Sequence, residues 1–305
     1  MSKRDANPFH PRYLGSWVAL GLLRLLSFIP MPVLYRLGSG LGDLLRVMIP
    51  GRRRVAERNL ALCFPDRSRE SIRALVKENF RNTARMGLLT GFVWWASREK
   101  LLKFVTVRNL DLFEDALTGG PGVVLLAPHF IALELGGIFL SLDFPGVSVY
   151  QYNRNPVFDR AMLKARQRFG GKLFERKSDL RQMVKSIRKG EFCYYLPDQD
   201  PGPRRAIFAP FFGVPTATWP VLGRLARMSR APTLACATYL QPDGRGFEII
   251  FSGPLPGFPT GDDQTDATTM NKAIEDCVNH EPTQYFWVHK RFKTRPPGAP
   301  PVYKT

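Results

Sequence analysis

The sequence predicts an α/β protein: a mixed, largely parallel sheet flanked by helices, preceded by an N-terminal hydrophobic helical anchor. Three observations carry this. Beyond about residue 104, short apolar runs alternate with helical patterns, the grammar of strand–helix–strand units. Residues 13–96 show no such alternation and read as helices throughout. The 305-residue chain is 44% hydrophobic and 23% charged, a globular composition with enough apolar material for a full core.

The first element is the run YLGSWVALGLLRLLSFIPMP, residues 13–32, which ends at Pro30 and Pro32. Its apolar part is close to the shortest bilayer span, ~17 residues. Arg24 sits inside it, and one such charge costs roughly 2.5–3.5 kcal/mol on insertion scales. A small-residue cleavage site is missing, which argues against a cleaved signal peptide. Lys3, Arg4 and Arg12 precede the run, and Arg36, Arg46 and the arginines of GRRR (51–54) follow it. This basic flank suits an anionic leaflet. Two readings stay open here: a marginal span or interfacial anchor, or an amphipathic helix of the domain itself. The expected division is residues 1–50 as membrane-anchoring helices and 51–305 as the main domain.

A second apolar helix is expected over 34–49, with Gly38, Gly40 and Gly42 allowing close packing. Residues 55–96 read as helical, interrupted by CFPDRS (63–68), where Asp66 or Ser68 can cap the next helix. The aromatic end of NFRNTARMGLLTGFVWW (79–95) reads as core or as a membrane-facing surface. Strands are expected at 104–109, 123–127, 147–152 and 191–196, with helices at 110–117, 131–142, 156–169, 180–188 and 218–229. Residues 233–241 and 247–251 suggest a hairpin around PDGRG, followed by a helix over 267–280. The tail TRPPGAPPVYKT is proline-rich and reads as extended.

Lysine and arginine exceed acidic residues by 18. Charge of this size bears on partners, namely nucleic acid, anionic lipid or an acidic protein. Cys63, Cys193, Cys236 and Cys277 are scattered without a C-x-x-C pair. That argues against a zinc site of the usual spacing and against a disulfide scaffold, and for a reduced, cytoplasm-facing body.

The chemistry concentrates in LLAPHFIALELGG, residues 125–137. In open α/β sheets ligands bind beyond the carboxyl ends of strands, which is where His129 follows its strand. Glu134 lies five positions later, a poor spacing for one helical face. A histidine in the turn and a carboxylate in the first turn of the next helix is the better geometry. Glu134 could then reach an imidazole nitrogen, fix its tautomer and stabilise the imidazolium. The plainer reading makes His129 structural and Glu134 a helix N-terminal carboxylate. H-E-x-x-H is absent, so no metal site is expected. A second polar loop, YYLPDQD (194–200), offers Asp198, Gln199 and Asp200 at the same rim. A basic tract over 164–188 includes Arg166, Arg168 and Arg176 and could hold phosphates. The segment HKRFKTRPPG (289–298) would suit an anionic partner.

Taken in order, HFIALELGG, KGEFCYYLPDQDPGP, FAPFFGVPTATW, LARMS, MNKAIED and PTQYFWVHKRFKTRPPG resemble the bacterial lipid A late acyltransferases, within the wider lysophospholipid acyltransferase group. The resemblance covers nearly the whole chain. The H-x4-E box is shared widely among glycerolipid acyltransferases, whereas the PDQD loop and the RFKTRP ending are narrower. It implies a glycerolipid acyltransferase-like fold at the cytoplasmic side of a bacterial inner membrane. It also implies an acyl–acyl carrier protein donor and an acceptor hydroxyl on a 3-hydroxyacyl chain of an anionic lipid A precursor. By resemblance His129 is the general base and Glu134 its partner. Asp198 and Asp200 lie where glycerolipid relatives bind acceptor. One of Arg166, Arg168 and Arg176 would meet acceptor phosphates. No cofactor, metal or nucleic acid is implied.

Other readings are the same chemistry on a lysophospholipid or aminoacyl lipid, a hydrolase, and a basic membrane- or nucleic-acid-binding protein. The hydrolase lacks a G-x-S-x-G elbow. The binding protein leaves the His/Glu rim unexplained.

Overall fold

The computed structural model describes residues 7–118, 120–175, 180–204 and 206–303. Four helices come first: α1 (Leu14–Leu26), α2 (Met31–Met48), α3 (Pro50–Cys63) and α4 (Arg69–Trp95). Proline in the first turn opens α2 and α3, where a fixed φ helps and the missing N–H costs nothing. Ser68, not Asp66, caps α4, its hydroxyl accepting the Ser71 N–H at 3.1 Å. A short α5 (Arg98–Phe104), capped by Ser97, was not legible from periodicity.

Strands and helices then alternate: β1 (Val105–Arg108), α6 (Leu110–Thr118), β2 (Val123–Leu126), α7 (Leu133–Leu140), β3 (Gly146–Tyr150), α8 (Pro156–Gln167), β4 (Lys172–Glu175), α9 (Leu180–Ile187), β5 (Phe192–Tyr195), β6 (Ile207–Phe211), β7 (Val214–Thr218), α10 (Val221–Ser229), β8 (Thr233–Leu240), β9 (Phe247–Pro254) and α11 (Asp263–His280). Seven strands form one sheet in the order β1-β9-β8-β2-β5-β3-β4. Every pairing is parallel except β8 with β9, the expected hairpin. The α/β class with a mostly parallel sheet is therefore as expected.

Helices cover both faces, so the central strands β2, β5 and β8 are buried at every position rather than at alternate ones. On β2, Val124 and Leu126 pack with α3, α9, α10 and α11 residues such as Leu60, Ile187, Leu225 and Ile274. Val123 and Leu125 pack on the other face with Leu89, Phe113, Leu135 and Ile138. All four β2 side chains are fully buried. At the end of α4, Phe92, Val93 and Trp94 are buried, so that aromatic cluster is core. All four cysteines are free and buried.

Two strands outside the main sheet, β6 and β7, form an antiparallel ribbon. Pro210 and Pro215 lie opposite each other in it, which a two-stranded edge tolerates. Phe212 and Gly213 turn between them with φ of 49° and 72°, the twist a tight hairpin needs.

The N-terminal run resolves into two helices, and none of the described helices is long and apolar enough to cross a membrane. At 13 residues α1 reaches only ~20 Å, short of the ~30 Å hydrocarbon core. One side of each helix is docked. Met31, Leu34, Gly38 and Gly42 of α2 face α4, and Gly91 of α4 admits the Leu23 carbonyl, which a Cβ there would meet at 2.0 Å. The other side is bare. Among described residues, every exposed large hydrophobic except Leu102 and Met228 lies between Phe9 and Ile49. Leu14, Val18, Leu22 and Leu25 on α1 and Val33, Leu37, Leu41 and Leu44 on α2 follow the three-or-four spacing of one helix face. Arg12, Arg24, Arg36, Arg52 and Arg54 are exposed around them. The Arg24 guanidinium lies over the Phe28 and Trp95 rings, at 5.1 and 5.5 Å.

Of the three glycines expected to permit close packing, two do so. A Cβ on Gly38 would meet Arg85 Cα at 2.5 Å and one on Gly42 would meet Arg81 Cα at 2.4 Å, whereas Gly40 faces open space. Gly42→Ala is therefore expected to destabilise the protein by ~1–3 kcal/mol through overpacking against backbone. Gly40→Ala should stabilise it by ~0.5–1 kcal/mol, because a helix interior prefers alanine. Urea denaturation of both variants checks the pair.

Candidate active site

His129 sits where β2 gives way to a tight loop. The Ala127 N–H still bonds the Tyr195 carbonyl of β5 at 2.9 Å, and the Phe130 N–H then turns back onto the Pro128 carbonyl at 2.7 Å. Because β2 and β5 run parallel in register, Leu126 opposite Tyr195, the loop after β5 emerges beside this one. That loop carries Asp198, which is 1% exposed. Its Oδ2 accepts the His129 backbone N–H at 2.8 Å and its Oδ1 meets His129 Nδ1 at 2.5 Å. The Tyr285 hydroxyl donates to Oδ2 at 2.9 Å. Burial alone would raise the Asp198 pKa, but His129, through its charge, ring and amide, outweighs it and holds the carboxyl at about 2. Against that anion Nδ1 carries the proton, and Nε2 is left as the accepting nitrogen. The imidazole keeps 21% of its surface exposed.

Glu134 has a different partner from the one expected. It stands in the first turn of α7 and faces α8, where Arg166 Nε donates to its two oxygens at 3.0 and 3.1 Å and Nη2 to Oε2 at 2.5 Å. The carboxylate on the imidazole is thus Asp198, and Glu134 is held by a guanidinium. The tight turn at Pro128–Phe130 and the anchoring of Phe130 to Tyr285 direct the two side chains to different neighbours. Burial would lower the Arg166 pKa; the Glu134 carboxylate more than offsets it and leaves it raised. This ion pair lines a cleft between α7 and strands β3 and β5. Gly137, Ile138, Val147, Phe192 and Tyr194 give the cleft apolar walls. His129 does not line it, but Leu133 and Glu134, next along the chain, do.

The remaining candidates separate. Arg168 donates to the Ala96 and Val93 carbonyls at 2.7 and 2.9 Å, closing the end of α4, and burial lowers its pKa to about 10. Arg176 lies outside the described residues. Asp200 accepts from the Gly202 and Thr294 N–H groups and the Thr294 hydroxyl at 2.7–2.8 Å, which ties the loop after β5 to the C-terminal segment.

That segment contributes what the sequence left unassigned. Gln284 and Phe286 bond the His129 loop through backbone contacts of 3.0 Å, and Asn59 of α3 holds the Trp287 and His289 carbonyls at 2.7 Å each. Tyr285 reaches Asp198, and Arg291, 2% exposed, is buried within a stretch that read as a basic surface. Tyr303 in the proline-rich tail returns to bond Asn59 and the Phe292 N–H. The only sequence hint was the apolar PTQYFWV immediately before the basic run.

Residues 1–294 match the family model described as bacterial lipid A biosynthesis acyltransferase. The chain belongs to that family. It is similar to the lipid A biosynthesis lauroyltransferase of Escherichia coli K12, with 39% identity over 96% of each chain. It is also similar to that organism's palmitoleoyltransferase, at 35% over 96% of each, and myristoyltransferase, at 32% over 97% of this chain and 92% of the relative. For a lipid A acyltransferase family member, the geometry supplies an anion-held imidazole and, beside it, an apolar cleft with one ion pair on its wall.

Asp198 also makes a pH prediction. Its folded-state carboxyl lies near 2, against an ordinary 3.8. A depressed carboxylate stabilises above the ordinary value and loses that contribution as pH falls through the folded one. The stability gap between wild type and Asp198→Asn should be on the order of 2 kcal/mol at neutral pH and should close between about pH 4 and 2. Urea titrations across that range measure it, and a gap independent of pH would count against the assignment.

Proposed function

We propose that the protein transfers a fatty acyl chain from the thioester of acyl carrier protein to a hydroxyl of a 3-hydroxyacyl chain on a lipid A precursor. Family membership supports the reaction class, and the observation that carries the mechanism is the His129–Asp198 contact. With Nδ1 engaged by Asp198, Nε2 takes the acceptor hydroxyl proton as that oxygen attacks the thioester carbonyl. The C–O bond forms and a tetrahedral intermediate results. Its collapse breaks the C–S bond, and the leaving thiolate recovers the proton from the imidazolium. The step needs no group beyond two substrates and the imidazole.

The apolar cleft suits the acyl chain, since an alkyl tail is stabilised by ~0.8 kcal/mol per buried methylene. Glu134 holds Arg166 at the cleft wall, and we assign Arg166, rather than Arg168, to the anionic acceptor. Asp200 orders the loop that carries Asp198. The bare α1–α2 face, ringed by arginine, suits the cytoplasmic leaflet of the inner membrane, lying in its surface rather than across it. Residues 1–50 then form the membrane-attachment unit and residues 51–305 the catalytic body. The excess of 18 positive charges suits anionic lipid and an acidic carrier protein.

The deciding experiment incubates purified protein with carrier-bound acyl chains and a tetra-acylated lipid A precursor and weighs the product by mass spectrometry. A gain of one acyl group is expected. Absence of that gain, or acylation of a lysophospholipid in its place, overturns the acceptor assignment. His129→Ala and Glu134→Ala should abolish turnover in folded protein. Asp198→Asn should lower kcat by as much as ~10⁴-fold, as loss of an orienting carboxylate does elsewhere.

Membrane attachment is checked by flotation with vesicles containing phosphatidylglycerol. The wild type should float with them. A Val18→Glu/Leu37→Glu/Leu44→Glu variant should remain in the dense fraction while keeping its circular dichroism spectrum. Equal flotation of both proteins would exclude this face.

A further inference from the structure

The RFKTRP stretch holds a buried charge that the mechanism above does not use. Arg291 Nη1 donates to the Ala217 carbonyl at 2.8 Å, and the guanidinium lies 5.6 Å from the Phe211 ring centroid. Its Nε and Nη2 are buried with no hydrogen-bond partner among the described residues. Arg291 also lines a small cavity together with His129, Asp198, His289 and Asn59. A guanidinium held this deep is costly unless an anion compensates it. The acid that shares the cavity with it is Asp198, whose own oxygens are occupied by His129 and Tyr285.

We propose that Arg291 is a positioning residue for acyl transfer: its buried positive charge backs the His129–Asp198 pair, fixes Asp198 as the anion and disfavours a second cation at His129 before substrate binds. The inference rests on His129 being the base. The arrangement resolves a conflict built into such a pair. A buried carboxylate beside an imidazole favours the imidazolium, which cannot accept a proton. A third, permanently charged group opposes that form without touching the ring, since arginine does not titrate in the working range.

The other groups facing the pair do not supply this charge. Burial, then Arg291 and His129, lower the His289 pKa, while Asp198 and Asp200 work in the opposite direction. The ring accepts the Asp200 N–H through Nε2 at 3.3 Å, as a neutral imidazole does. Tyr285 is held protonated by burial and by Asp198. Cys63 on α3 and Cys277 on α11 are pushed up by burial and stay neutral thiols.

The test compares wild type, Arg291→Met and Arg291→Lys in full-length protein. It measures kcat/KM for acyl transfer against pH, and the His129 titration by NMR in the same samples. In Arg291→Met the acid limb of the profile and the His129 midpoint should both move up by about one pH unit, the size expected for loss of one nearby charge. Arg291→Lys should return both toward the wild-type position even if its Tm falls. A folded Arg291→Met with unmoved limb and midpoint overturns the proposal, as does an Arg291→Lys that shifts as far as the methionine variant. Should the methionine variant not fold, Arg291→Lys decides alone: a limb displaced despite the retained charge refutes it. A wild type that transfers no acyl group would instead sink the base assignment, and the NMR midpoints would still report the charge coupling.

Discussion

Asp198 accepts three hydrogen bonds, two from the loop after β2 and one from the C-terminal segment, and has almost no surface in solvent. A buried carboxylate is tolerable only when its lone pairs are met, so each contact depends on the others being in place. The register of β2 against β5 delivers the carboxylate to the histidine. The packing of Tyr285 between Phe130 and Trp287 delivers the hydroxyl. The sheet therefore sets the pair's position, while the C-terminal segment closes its third side.

Part of the protein's positive charge is structural. Arg168 caps the end of α4, Arg291 sits under the loops, and Arg295 and Arg52 donate to the Pro215 and Val288 carbonyls. Arg85 is buried between Ser39, Glu78 and Asn82, with its guanidinium 3.8 Å from the Tyr35 ring centroid. Guanidinium suits such places because one planar group can donate to several acceptors, as Arg85 and Arg168 do. Net charge thus overstates what the molecule presents to a partner. The exposed share is gathered in part beside the apolar face of α1 and α2.

The class of the fold was legible because its signals are local: buried strands read as short apolar runs, and prolines and Ser68 punctuate the helices. What escaped were elements whose pattern is masked by position. β4 carries Lys172 and Glu175 at an edge, and β6 and β7 contain prolines that a central strand would exclude. In the site, His129 stood out by its place after a strand. Asp198 was placed at the same rim but not on the imidazole, because it comes from a loop 69 positions away and reaches the ring only through parallel pairing. Spacing along the chain favoured Glu134, yet spacing carries no information about which side chain across the rim is nearer. Arg291 was hidden by composition, since a buried arginine inside a basic run looks like its exposed neighbours Lys290 and Lys293.

The closing role of residues 284–303 has a consequence for biosynthesis. The chain is made from its amino end, and the α1–α2 face emerges long before the segment that completes the rim. Tyr285, Arg291 and Tyr303 follow every strand of the sheet along the chain, so a nascent chain can begin to bury its sheet while His129 still lacks its surroundings. The surroundings of the imidazole are then completed only after the sheet that positions it.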